Sequence, residues 1–122
     1  MATWTVINNE GGEMLVGKDG MFFETASVGL ADTIHAVQWD GSAGEIEHKD
    51  VSTGDITHNS DISSFADFAF AETAWQAAYD IALEDAKQSA YANAYNAAID
   101  NGDAEVEAEA AGNAARDAVT SL

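Results

Sequence analysis

The sequence predicts an α+β fold: a small N-terminal antiparallel β-sheet built from hairpins over residues 1–62, followed by a long α-helical hairpin over residues 63–122. Two observations carry this expectation. Up to about residue 50, β-branched and aromatic residues recur at period two between turn sequences. Beyond Ser63, apolar residues recur at alternating spacings of three and four, the signature of one helical face. The chain has no proline among its 122 residues, so neither pattern meets a break.

Thr3-Trp4-Thr5-Val6-Ile7 reads as a first strand with Trp4 and Val6 on one face, ended by Asn8-Asn9-Glu10-Gly11-Gly12. Met14-Leu15-Val16 and Met21-Phe22-Phe23 flank Gly17-Lys18-Asp19-Gly20, where Asp-Gly supplies the positive φ angles of a tight hairpin turn. A looser linker with a bend at Gly29 leads to the main hairpin. There Thr33 to Trp39 alternates, Asp40-Gly41-Ser42-Ala43-Gly44 turns, and Glu45 to His48 runs extended again. Val51 to Ser60 is polar and turn-rich, with Asp55-Ile56-Thr57 as a short edge strand at most.

A helix is expected from Ser63 or Ser64, because Ser64 and Asp67 approximate a capping box and Ile62 can pack on Phe68 as a hydrophobic staple. Its stripe is Phe68, Ala71, Trp75, Ala78 and Ala82, continued by Ala86, Ala90, Ala94 and Ala97, with Tyr79, Tyr91 and Tyr95 off its edge. Asn101-Gly102-Asp103 closes it. A second helix follows from about Ala104 towards Leu122, with Ala108, Ala111, Ala115, Ala118 and Leu122 as its stripe and Glu105, Glu107 and Glu109 in its first turns. So short a connection implies an antiparallel pair.

Composition limits the partners. Twenty-two Asp and Glu against four Lys and Arg leave a net charge of −18, which opposes nucleic-acid binding and anionic membrane surfaces. No cysteine means neither disulfides nor a thiolate site. Met1 to Glu10 lacks the basic start and apolar core of a Sec-type leader, and no segment reaches the ~20 apolar residues of a membrane span, so synthesis in a cytoplasm is expected. Alanine contributes much of the 47% hydrophobic content and buries little area per residue, which favours homo-oligomers or docking on a partner.

Catalytic chemistry is not evident. His35 and His48 come onto neighbouring strands if the main hairpin forms, and a metal site there would need Asp32 or Asp50 as a third ligand. Asp55, His58 and Asp61 recur at spacing three, but in a stretch rich in turn and cap residues. The acids from Asp100 to Glu107 lack the sixth-position glycine and twelfth-position glutamate of an EF-hand loop. No catalytic, cofactor or metal residue is assigned, and no cofactor is expected. The aromatic residues read as the core where sheet meets helix, or in part as a docking patch; the candidate interaction residues are Trp39, Phe65, Phe68, Phe70, Trp75, Tyr79, Ala86, Ala90 and Ala94.

Ile34-His35-Ala36-Val37-Gln38-Trp39-Asp40-Gly41-Ser42-Ala43-Gly44-Glu45-Ile46-Glu47 resembles a stretch found in small proteins of tailed bacteriophages, I-H-A-[LV]-Q-W-[DN]-G-x-x-G-x-[IV]-[EQ]. Those proteins are mostly tail or tail-fibre associated, or uncharacterised. The resemblance implies a non-enzymatic structural component of the virion (tail, tail-fibre adaptor or capsid accessory) that contacts other phage structural proteins or itself. The alternative is an assembly factor or chaperone absent from the mature particle, and the enzymatic alternative is a metal-dependent hydrolase using the histidines. No site residues come with the resemblance.

Overall fold

The computed structural model describes residues 2–9, 11–27 and 29–122. The fold is α+β: six antiparallel strands followed by two helices. The strands are β1 (Trp4–Asn9), β2 (Glu13–Lys18), β3 (Met21–Ala26), β4 (Ile34–Trp39), β5 (Gly44–Lys49) and β6 (Ile56–Ile62). The helices are α1 (Ala69–Asp100) and α2 (Glu105–Ala118). Two compact units divide the chain, one running to Ala78 and the other covering Tyr79–Leu122, so the division falls within α1.

In the first unit the sheet order is β3-β2-β1-β4-β5-β6, two three-stranded meanders joined where β4 pairs with β1. A two-residue turn joins β2 to β3, since Lys18 pairs with Met21. Asp19 and Gly20 take φ of 49° and 87° there, which suits an Asp-Gly pair and few others. Register places Trp4, Val6, Met14, Val16, Phe23, Val37, Trp39 and Ile46 on one face. Val6, Met14, Val16 and Val37 are fully buried. Leu30, Phe65, Phe68, Ala71 and Trp75 complete this core. The aromatic rings interlock: Phe65 stacks on Trp4 and on Trp39 at 5.9 and 6.0 Å, while Trp75 meets Trp4 and Phe23 edge-on at 6.0 and 5.7 Å.

Two expectations are corrected here. The last strand is not a three-residue fragment at Asp55–Thr57 but seven residues, Ile56–Ile62, paired along β5. Its backbone groups find partners on β5 even though its side chains are polar, which is tolerated because β6 is an edge and mostly exposed. The helix does not start at Ser63 or Ser64. A 3-10 turn, Ala66–Phe68, precedes α1, and the Ser64 hydroxyl accepts from the Ala66 N–H at 3.1 Å, a local turn instead of the capping box. This entry lets Phe65 and Phe68 both reach the core. The sheet's compact unit extends past the last strand to Ala78, and Phe65, Phe68, Ala71 and Trp75 are part of its core.

In the second unit α2 runs antiparallel to the later part of α1. Asp103 N–H bonds to Ala98 O at the connection, and the Leu122 N–H donates to the Tyr79 hydroxyl at 3.2 Å at the other end. Between them the Arg116 guanidinium sits 6.0 Å from the Tyr91 ring. Ala108 and Gly112 are the buried residues of α2. A Cβ on Gly112 would lie 2.7 Å from the Tyr91 ring, so glycine here admits a tyrosine against the helix backbone. The stripes differ from the expected ones in detail. Ala98 is buried and Ala97 exposed, because the 3.6-residue period carries Ala86, Ala90 and Ala94 on to Ala98; Ala118 and Leu122 are exposed. Among the described residues no helix is long and apolar enough to cross a membrane.

Candidate functional site

The stretch from Ile34 to Glu47 forms the β4–β5 hairpin, and its turn explains several of its residues. Asp40 Oδ1 accepts from the Ser42 and Ala43 N–H groups at 2.9 and 2.8 Å, and the Asp40 N–H closes the turn onto Ala43 O at 2.9 Å. Gly44 follows where a Cβ would overlap the Gln38 carbonyl oxygen and lie 2.9 Å from Trp39 Cε3. Trp39 stacks on Phe65 and Val37 is fully buried. Thus Val37, Trp39, Asp40 and Gly44 are used in folding the hairpin.

The Ala43 N–H, and after it the Ser42 N–H, holds the Asp40 carboxyl below the usual carboxylate range. The Thr3 N–H does the same for Asp19. A depressed folded-state value means stability that is fully present above the unfolded value, about 3.9, and lost as pH falls through the folded one. Glu13 has the opposite sign: its side-chain hydrogen bond with Glu24, and then that carboxylate's charge, raises it, so its contribution is lost as pH rises through its folded value. Asp40→Asn keeps an acceptor at the turn but does not titrate. Its thermal midpoint is expected to fall less than the wild type's between about pH 5 and about pH 3. Parallel melting-temperature profiles for the two proteins would show that this carboxylate has no part in acid sensitivity.

His35 and His48 lie on neighbouring strands, as expected, but are not opposite one another. The β4–β5 register shifts between Ile34 and Ala36, so His48 lies opposite Ile34, whereas His35 Nε2 pairs with Glu47 Oε1 at 3.6 Å. His48 instead faces His58 across β5 and β6, with ring centroids 4.4 Å apart and planes 12° from parallel. Its Nε2 is 2.6 Å from Ser60 Oγ, and His58 Nδ1 is 3.1 Å from Thr57 Oγ1. Sequence reasoning missed this pair because β6 was expected to be shorter. Among the described residues no group of three or more His, Cys, Asp or Glu is arranged to hold a metal ion.

Of the candidate interaction residues, Phe65, Phe68 and Trp75 are buried in the core of the sheet unit. Phe70 is half-buried, with its ring 3.3 Å from where a Cβ on Gly29 would stand. Trp39, Tyr79, Ala86, Ala90 and Ala94 are also half-buried. The turn end of the motif hairpin borders an open groove of about 460 Å³ lined by Thr3, Thr5, Gln38, Trp39, Asp40 and Glu45. Its chemistry is that of hydroxyls, an amide and two carboxylates beside two indoles, those of Trp4 and Trp39. Elsewhere Phe22 on the sheet, and Ile81 and Val106 on the helices, remain exposed as separate apolar side chains.

Comparison with protein-family models, with curated proteins and with solved structures gives no match for this chain.

Proposed function

We propose that this chain is a non-enzymatic structural component of a tailed-phage particle, in a tail, a tail-fibre adaptor or a capsid accessory position, acting by docking on neighbouring proteins. The observation that supports the reading most is the motif itself. The residues that carry the phage resemblance form one hairpin, in which Asp40 orders the turn, Gly44 admits the Gln38 carbonyl, and Trp39 stacks on Phe65. A motif whose residues serve the fold of the hairpin supports reading it as scaffold. Its open groove offers acceptors beside Trp39, which suits a polar or basic segment of a neighbouring protein. With a net charge of −18, a less acidic partner is favoured over another copy at low salt, and self-association is expected to strengthen as salt rises.

Mass spectrometry of purified particles, from a tailed phage whose genome is found to carry this sequence, tests the reading. The chain is expected at a fixed copy number that survives washing and gradient purification. Its presence in lysate but absence from mature particles would replace this assignment with that of an assembly factor.

A further inference from the structure

The sheet is open, and its two outer strands end it differently. Pairing of β6 with β5 shifts beside His48, the kind of irregularity that blunts an edge, whereas β3 pairs with β2 without a shift along its whole length. No proline, lysine or bulge guards β3. We propose that the β3 edge is a docking site for an extended segment of another protein, added as one further antiparallel strand with Lys or Arg opposite Glu24 and an apolar side chain opposite Phe22. Strands β2 and β1 separate this edge from the motif hairpin, so the proposal does not rest on the phage assignment.

Backbone pairing defines what the edge offers. Lys18 faces Met21 across the two-residue turn and the Ser27 N–H bonds to the Gly12 carbonyl, so Met21, Phe23 and Thr25 direct their backbone groups at β2. The N–H and C=O groups of Phe22, Glu24 and Ala26 therefore point outwards. Such a row recognises an extended chain, because main-chain hydrogen bonds supply the binding and side chains at alternate positions supply the choice of partner.

The side chains of the same three residues make that choice. All are exposed on the face away from the core, Phe22 to 45%. The Phe22 ring lies over Gly17, where a Cβ would overlap it, and presents an apolar surface beside the edge. Glu24 stands diagonally across from Glu13 on β2, and its hydrogen bond and then its charge raise the Glu13 carboxyl above the usual range. Beside the two acids lies an open groove of about 420 Å³, lined by Glu13, Glu24, Thr25 and Ala26 together with Gly11 and Gly12. A lysine or arginine opposite Glu24 reaches this groove and offsets the repulsion between the acids. A second copy of the chain does the reverse. Pairing two β3 edges so that all their outward groups meet sets Glu24 directly against its counterpart, and each copy carries a net charge of −18.

The test adds a capped peptide, threonine-valine-threonine-lysine-threonine-valine-threonine, to the isotope-labelled full chain at physiological ionic strength, read by amide chemical shifts and amide exchange. Saturable shifts centred on Phe22, Glu24 and Ala26 are expected, with slowed exchange of those N–H groups. A peptide with glutamate in place of lysine is expected to bind the wild type at least about tenfold more weakly. The same loss is expected when the lysine peptide meets Glu24→Lys, or Ala26→Pro, which removes an N–H that serves no bond within the sheet. Asp61→Lys makes an equal change of charge on β6, at the other edge, and should bind as the wild type does. Shifts centred away from β3, equal binding of the two peptides, unchanged binding by Ala26→Pro or an equal loss in Asp61→Lys would overturn the proposal. So would a dimer of the chain alone with the same N–H groups protected, which would assign the edge to a second copy.

Discussion

Trp75→Ala is expected to destabilise the sheet unit by about 3–5 kcal/mol, the loss typical of deleting a large buried aromatic side chain. Only 6% of Trp75 is exposed. Its ring packs edge-on against Trp4 and Phe23, the Lys18 ammonium sits 5.0 Å from its centroid, and its Nε1–H donates to the Met21 carbonyl at 2.9 Å. Removal therefore opens a cavity between sheet and helix and takes the donor from a carbonyl on the edge strand β3. Small domains are stable by only about 5–15 kcal/mol, so this one change removes a large share of the total. Trp75→Phe separates the two effects: it retains most of the packing and lacks the donor, and it should be markedly less damaging. Urea denaturation followed by far-ultraviolet circular dichroism measures both. A loss under about 1 kcal/mol for Trp75→Ala would mean that the helix does not anchor the sheet at this residue.

Gly44→Ala is expected to weaken the same unit by about 1–3 kcal/mol or more, although alanine is the smallest change available. The added Cβ meets the Gln38 carbonyl oxygen, a backbone atom of β4 that cannot move without disturbing the β4–β5 ladder. It also lies 2.9 Å from Trp39 Cε3 and 3.2 Å from Ile62 Cγ1, so the indole and the last strand are both pushed. Gly54→Ala is a useful contrast. No atom lies within 4 Å of a Cβ there, and only the positive φ of 77° resists the change. Gly44→Ala should lower the urea midpoint further than Gly54→Ala does; the reverse order would show that the hairpin relaxes around the methyl group.

By itself, the sequence determined the features that depend on a few consecutive residues. The Asp19-Gly20 turn and the Asp40 turn each rest on contacts between near neighbours. So does the break between the helices at Asn101-Gly102-Asp103. Period two and period 3.6 likewise follow from backbone geometry alone, which is why the core residues Trp4, Val6, Phe68 and Trp75 could be placed on faces in advance. Pairing between distant segments was decided only in the tertiary structure. No local signal places β4 beside β1, and the polar residues of β6 become a strand only because β5 offers an edge of backbone donors and acceptors. The same dependence separates His35 from His48 and stacks His48 on His58, since one shift of register changes which side chain faces which. Gly112 shows the limit most directly: nothing in Ala111-Gly112-Asn113 marks a packing glycine, and its role exists only because the antiparallel turn brings the Tyr91 ring against it. Local chemistry selects the elements, whereas burial between residues far apart in the chain selects their partners.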